Sequence, residues 1–567
     1  MTTSGERAHA GDDAADERAH VAVIGGGIAG LAAARFLARG GASGGSSGIG
    51  TAGTGSTGDG GGRGGVRVTV LEGSPAVGGK LRISEIAGLP VDEGAESMLA
   101  RRPEGLDLVS DLGHGDDLVN PGTTSAAILS HGSLRRMPAG QVMGVPSDLK
   151  ALAASQVLSP AGLARVPLDL VLPETPRGDA DVSVADFIGA RLGREVADRL
   201  VEPLLGGVYA GLIERLSFES TLPAVAAAAR THRSLISAVR GVRDAAPKDA
   251  GPVFATLPDG LGSLPKLLTD AIIADGGTVR TTTVVRELRR RPDGWRLTLG
   301  SARDPEALDV DAVVIAVPAA PAGRLLADEV PAAARELDRI EYASMAIVTL
   351  AYATTAFHRL PRGSGYLVPA VEGREVKAVT FSSVKWPHLR DKAPGVIAVR
   401  CSIGRFGEEH TLQRSDEDLK AAALTELATT CGVSELPLEA RVTRWGGGLP
   451  QYNVGHADRV ARIRAAVAGQ QGLAIAGAAY DGLGIPACIA TARAAAARVL
   501  EHLERRGELS HGSDGQGDRA GDRAGGGAGD GSGGGSGGGS GGQAEGTRPQ
   551  PGDPVHDVVG LQGEDSG

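Results

Sequence analysis

An apolar run, VAVI at 21–24, ends on three consecutive glycines. Short, apolar at every position and closed by a turn signal, it reads as a buried strand. IAGLAAARFLARG (28–40) follows with Ala and Leu at helical spacing, and VRVTVLE (66–72) reads as a second strand. From about 105 to 250 the apolar positions fall at helical intervals, as in SVADFIGARLGREVADRLVEPLLGG. A strand-rich stretch comes next: TVRTTTVVREL, GWRLTLG and the apolar DAVVIAVP at 311–318. Residues 340–405 alternate, as in SMAIVTLAYA and GVIAVRCSIG, the period of antiparallel strands. The chain returns to strand and helix with GLAIAGAAYDG and PACIATARAAAARVLEHLERR. The first and last units look like parts of one sheet, separated in sequence by inserted domains.

Composition changes this picture in two places. Residues 40–65 are almost entirely Gly, Ser, Thr and Ala, and the tail carries GDGSGGGSGGGSGG at 529–542. Such tracts cannot bury a core, so the first is expected to be a surface insertion and the second a disordered tail. The boundaries that follow are a disordered 1–18, a first nucleotide-binding part at 19–105, and a helical, substrate-facing part at 106–250. A second nucleotide-binding part at 251–330, a substrate-binding sheet at 331–440, a third nucleotide-binding part at 441–505 and the tail at 506–567 complete the division.

The net charge of −10 and pI near 5.7, with no Lys/Arg cluster, argue against nucleic acid as a partner. Cys401, Cys431 and Cys488 form no CxxC pair, so neither a metal site nor a disulfide framework is expected. The polar N-terminus lacks an apolar signal region, and no run of 18 apolar residues is present. A cytoplasmic setting is expected, with peripheral membrane contact left open.

Gly25, Gly27 and Gly30 form GxGxxG between the first strand and its helix. Glycines there permit a tight turn, close approach to a pyrophosphate and close helix–sheet packing, while the helix N-terminus offers free N–H groups. Glu72 ends the second strand, where an acid binds a ribose hydroxyl. It lies 72 − 30 = 42 residues after Gly30, against about 20 in the usual unit. Removing the low-complexity insertion restores a normal length.

After Glu72 come GSPAVGGKLR, with Gly78, Gly79, Lys80 and Arg82, and then VDEGAES. This resembles the second glycine motif of the flavin amine-oxidase superfamily, which points to FAD rather than NAD. The resemblance extends to DAVVIAVPAAPAGRLL (311–326) and to AIAGAAYDGLGIPACIATA (474–492). It implies that the backbone of Val285 meets the adenine, and that Gly477 and Asp481 lie before a helix whose amides face the flavin. Thr491-Ala492 stands where the family often has Ser-Gly. The implied fold is α/β plus α+β: a Rossmann-like, p-hydroxybenzoate-hydroxylase-like FAD-binding domain with inserted substrate-binding and helical domains.

GGVYAGLIERLS (206–217), FATLPDGLGSLP (254–265), FSSVKWP (381–387), VRCSIGRFG (399–407) and WGGGLPQYNVGH (445–456) narrow the likeness. They resemble the FAD-dependent porphyrinogen oxidases of haem synthesis, over about residues 19–503. KWP and LPQYNVGH are the most specific strings. The soluble coproporphyrinogen III oxidases are the nearer form, with protoporphyrinogen IX oxidases sharing the motifs. The resemblance implies a six-electron oxidation in three steps, with molecular oxygen as acceptor and hydrogen peroxide released.

No catalytic residue is assigned: the sequence has no Ser/His/Asp arrangement, dyad or metal-ligand cluster, and an aromatic product supplies the driving force. The stretch Pro321–Leu360 contains no lysine, unlike amine oxidases, which carry one near the flavin. Carboxylates on the substrate call for cations. Arg101 and Arg102 are candidates, or else a solvated helix start. Lys385 and His456 are further candidates, with a structural role the alternative. Tyr209 and Tyr452 either line the cavity or pack. The amphipathic 148–172 reads as a helical cap, or as a surface for a membrane or other haem-synthesis enzymes.

Overall fold

The computed structural model describes residues 18–40, 65–173, 180–247 and 251–509. The expectations for both chain termini and for the Gly/Ser insertion fall largely outside these residues.

Five parallel strands form the central sheet, in the spatial order 278–280, 67–71, 20–24, 312–315 and 473–475. Every residue of His20–Ile24 and of Ala312–Ile315 is buried, which is why those runs are apolar without alternation. Numbered by position in the chain, the order is 3-2-1-4-5, so it reverses between the first strand and 312–315. A sheet of this kind binds ligands at that reversal, beyond the carboxyl ends of the strands.

The helix Ile28–Gly40 packs on Leu264–Ala274 and on the closing helix Ile485–Arg506. Leu31, Leu37, Leu268, Ile272, Ile489 and Val499 share that core. The closing helix starts with Pro486 in its first turn, ends on Arg505 and Arg506, and is capped by Gly507 at φ +73°. Proline at the entry, cations at the carbonyl end and a left-handed glycine after it are the signals such a helix needs.

TVRTTTVVREL does not run as one strand. Thr278–Arg280 joins the parallel sheet, Thr282 turns at φ +53°, and Val285–Arg291 starts a separate three-stranded antiparallel sheet.

The second large sheet has seven strands in the order 439–450, 342–353, 396–403, 376–381, 365–367, 126–130 and 133–136. It is antiparallel except where 365–367 pairs with 126–130. It therefore reaches beyond 331–440, taking a hairpin from the helix-rich part and a strand that runs into 441–450. One face packs on the helix Asp416–Cys431 through Val348, Leu350, Val399, Cys401 and Leu427. That helix is capped by Ser415, whose hydroxyl accepts from Asp418 N at 3.1 Å, and stops at Gly432. The helices from Leu149 to Ala245 enclose their own core around Phe187, Leu205 and Phe218.

Candidate active site

The glycine turn is built by exclusion. A Cβ on Gly30 would lie 1.8 Å from the Gly25 carbonyl oxygen, and one on Gly25 would lie 2.7 Å from that of Ala316. These glycines bring helix and strands together at the reversal of the sheet. Gly27 is different: a Cβ there would meet nothing within 4 Å. The same open space is bordered by Gly79, whose nearest neighbour is Gly27 Cα at 3.5 Å, and by Gly477, which faces only Ala29 Cβ at 4.0 Å. The second glycine motif is held against the first by Gly78 N donating to Gly26 O at 2.8 Å. A cradle of bare backbone at a helix N-terminus fits a pyrophosphate.

Glu72 closes the rim of this cradle. Its carboxylate accepts from Gly26 N at 2.7 Å and from Ser74 N and Oγ at 2.8 and 2.7 Å. Oε2, which accepts only from Gly26 N, retains acceptor capacity for a ribose hydroxyl. Thr283 N donates to Glu72 O and Thr282 N to Ser74 O, both at 2.8 Å. The segment leading into Val285 therefore runs along the Glu72 rim of the cradle. Lys80 lies between the two glycine motifs and the strand end at Gly448, whose Cβ would be 3.8 Å from Lys80 Cε. Burial holds the Lys80 amine below the ordinary lysine range, partly offset by the Cys488 thiol. Arg82 has other work: it pairs with Glu93 and lies over the Trp445 ring, 5.3 Å from its centroid.

At the closing motif, Gly477 N donates to Thr491 Oγ1 at 3.0 Å, and that hydroxyl donates to Cys488 O at 2.8 Å. Thr491 thus ties the turn to the first turns of the closing helix. Asp481 lies before the closing helix, its half-exposed carboxylate paired with Arg464.

Of the substrate candidates, Arg102 occupies the position before the helix Pro103–Asp111 and pairs with Glu104 at 2.6 Å, and Arg101 beside it is partly buried. Tyr209 is buried, its ring centroid 5.4 Å from that of Tyr452. His456 stacks on Tyr452 at 3.9 Å, and burial pushes its imidazole down to about 4, so the ring is neutral at physiological pH.

Lys385 does not stand free for a substrate. It donates to Glu96 Oε1 at 2.8 Å, and Arg400 donates to Glu96 Oε2 at 2.7 Å. Burial works against the Glu96 charge, but the two cations outweigh it and hold the carboxyl down at about 2. Nearby Asp92 accepts from Leu261 N and Gly262 N at 3.1 and 2.7 Å, yet burial pushes it up to about 6. Asp92, Glu96, Thr256, Ser382, Trp386 and Arg400 line a small cavity between the flavin-binding part and the seven-stranded sheet. Glu96 and Arg400 escaped the sequence reading, because each looks like an ordinary surface charge until 304 residues of chain are folded between them. Among the described residues no group of His, Cys, Asp and Glu could hold a metal ion.

A parallel sheet with this order, a double glycine cradle and a partly buried lysine beside it define a dinucleotide-binding oxidoreductase of the flavin type. The chain belongs to the flavin-containing amine oxidoreductase family, whose profile matches residues 28–500, and its cofactor is FAD. It is 37% identical over 439 residues to coproporphyrinogen III oxidase of Mycobacterium tuberculosis strain H37Rv, covering 77% of this chain and 92% of that one. Against coproporphyrinogen III oxidase of Bacillus subtilis strain 168 it is 31% identical, covering 86% and 99%. A crystal structure from Exiguobacterium sp. 255-15, provisionally described as a protoporphyrinogen oxidase, superposes with a TM-score of 0.72 at 31% identity, covering 86% and 99%.

Proposed function

We propose that this chain oxidises coproporphyrinogen III to coproporphyrin III in haem biosynthesis. Three molecules of dioxygen take up the six electrons and six hydrogens removed and leave as three of hydrogen peroxide. The observation that carries this reading is the match to the mycobacterial coproporphyrinogen III oxidase along nearly its whole length.

Bound flavin supplies acceptance of a hydride from a ring carbon and its delivery, as an electron pair, to dioxygen. The chain's part is to bind and orient. Gly25, Gly27, Gly30 and Gly79 admit the pyrophosphate, Glu72 takes the ribose, and the backbone before Val285 lies along the adenine. Lys80 places a cation against the cofactor, and Gly477 and the amides opening the closing helix face the ring system. Tyr209, Arg101 and Arg102 belong to the substrate side of this reading. No side-chain acid or base is invoked, because aromatisation drives the reaction and the pyrrole protons leave in its course.

The setting proposed is the cytoplasm, supported by three free thiols; no helix among the described residues is long and apolar enough to cross a membrane. A neighbouring haem-synthesis enzyme is the partner this reading favours for product release, since free porphyrins are apolar and phototoxic.

The test is porphyrin fluorescence with purified, FAD-loaded protein and each porphyrinogen in turn. Fast, oxygen-dependent appearance of coproporphyrin with slower protoporphyrin supports the proposal. The reverse preference would favour protoporphyrinogen IX, the second reading, which the Exiguobacterium structure supports. No porphyrin above the rate without enzyme would overturn both.

A further inference from the structure

LPQYNVGH spans 449–456, across the end of the strand Glu439–Pro450 and the start of the helix His456–Ala468. Its residues grip one turn of the closing flavin motif from inside the molecule. The Tyr452 hydroxyl donates to Ala478 O at 2.8 Å and accepts from Gly482 N at 2.7 Å. His456 Nε2, at 3.1 Å, is positioned to donate to Tyr480 O. The three contacts fall on 478, 480 and 482, every second residue of the turn that leads from Gly477 to the closing helix. The two rings that make them are stacked, with centroids 3.9 Å apart and planes 13° from parallel. Both side chains are 1% exposed. With Nε2 committed to a carbonyl, Nδ1 carries the lone pair and finds no partner among the described residues. The imidazole is therefore a fixed neutral donor.

The same segment reaches the other way. Gln451 Nε2 donates to Tyr209 O at 2.8 Å, and Ser217 N donates to Tyr452 O at 2.7 Å. Both partners lie in GGVYAGLIERLS. A Cβ on Gly211 would sit 2.3 Å from Gln451 Oε1, so the contact with that segment is tight. Neighbouring residues Gln451 and Tyr452 thus hold opposite sides, the GVYAG segment on one and the flavin turn on the other.

We propose that Tyr452 and His456 are positioning residues for FAD, holding the 478–482 turn and the amides behind it in the conformation that receives the cofactor, with Gln451 anchoring them to the GVYAG segment. The proposal rests on flavin-family membership and is independent of which porphyrinogen is oxidised. Without the hydroxyl, Ala478 O and Gly482 N lose their partner and the turn is free to relax, although the core around the ring is unchanged.

The experiment is FAD titration of apo-protein, read by flavin fluorescence and visible spectrum, with melting temperature measured alongside. Tyr452→Phe is expected to weaken FAD binding on the order of tenfold and to change the fine structure of the bound flavin band. Tyr366→Phe is the control. It also deletes a buried tyrosine hydroxyl, bonded to Glu426 Oε1 at 3.1 Å, but in the core of the seven-stranded sheet. It is expected to lower the melting temperature and leave FAD affinity within about twofold, the level of effect ordinary for a distant site. His456→Leu should weaken FAD and His456→Gln, which keeps a donor, should recover part of the loss. Wild-type affinity in Tyr452→Phe overturns the proposal, as does equal loss in the Tyr366→Phe control. Should Tyr452→Phe fail to fold, the His456 pair decides: equal affinity in Leu and Gln overturns it.

Discussion

Glu96 shows how a single side chain can join two parts of this molecule. It lies in the segment following the second glycine motif, and its carboxylate takes Arg400 from the seven-stranded sheet and Lys385 from the short helix Ser382–Lys385. Its side chain is 12% exposed, so these are partly desolvated pairs whose loss strands two cations. Glu96→Gln should therefore destabilise the fold by about 3 kcal/mol near neutral pH, read as a drop in melting temperature. The sign with pH follows from the depressed carboxyl. Its stabilisation is complete above the ordinary value of 4.5 and is lost as pH falls toward about 2. Asp92 works in the opposite direction: raised to about 6, it favours the fold while protonated and ceases to as pH rises through 6. In melts from pH 2 to 7, wild type should lose stability below 4.5 more steeply than Glu96→Gln. Parallel curves would remove Glu96 from this role.

At the level of elements, local signals were readable and distant ones were not. The opening strand, its helix, the glycine turn and Glu72 declare themselves because each depends on residues a few positions apart, once the biased tract is set aside. The closing helix declares itself through Pro486 and Gly507. The pairing of Asp481 with Arg464 was not legible, because a pattern of spacing does not reveal a partner on another element. TVRTTTVVREL looked continuous because β-propensity does not register that Thr282 turns between two sheets. The Lys385–Glu96–Arg400 cluster was hidden for the same kind of reason: its members are cations and an acid from three unconnected segments. Thr491, a departure from the family pattern, proves to serve the closing element well, as its hydroxyl accepts from Gly477 N. Thr491→Val would leave that amide without its acceptor and cost roughly 1–3 kcal/mol. Thr491→Ser should retain both FAD and melting temperature, and a valine variant equal to wild type would show the contact to be dispensable.

Across the whole molecule, the flavin-binding part is one body assembled from distant pieces of chain, while the Gly/Ser-rich tract enters between its first helix and second strand. That connection joins Gly40, at the end of a helix packed near Leu500, to the start of a strand paired with His20–Ile24. Neither end lies at the nucleotide cradle. Deleting residues 41–64, with a short linker kept, should leave FAD affinity and melting temperature as they are; loss of flavin from the shortened protein would give the tract a binding role.

The strand order also fixes when the cofactor can arrive. The cradle lies at the junction of the first strand with 312–315, but the turn at 477–482 and the helix that finishes it are synthesised after every other element of the sheet. On the ribosome, the opening strand and its glycines must wait for more than four hundred further residues before their sheet is complete. Non-local assembly of this kind is slow and leaves apolar edges uncovered in the meantime. FAD capture is thus an event of the finished chain, and a premature stop anywhere before the closing helix yields a protein that never turns yellow, however intact its glycine motif.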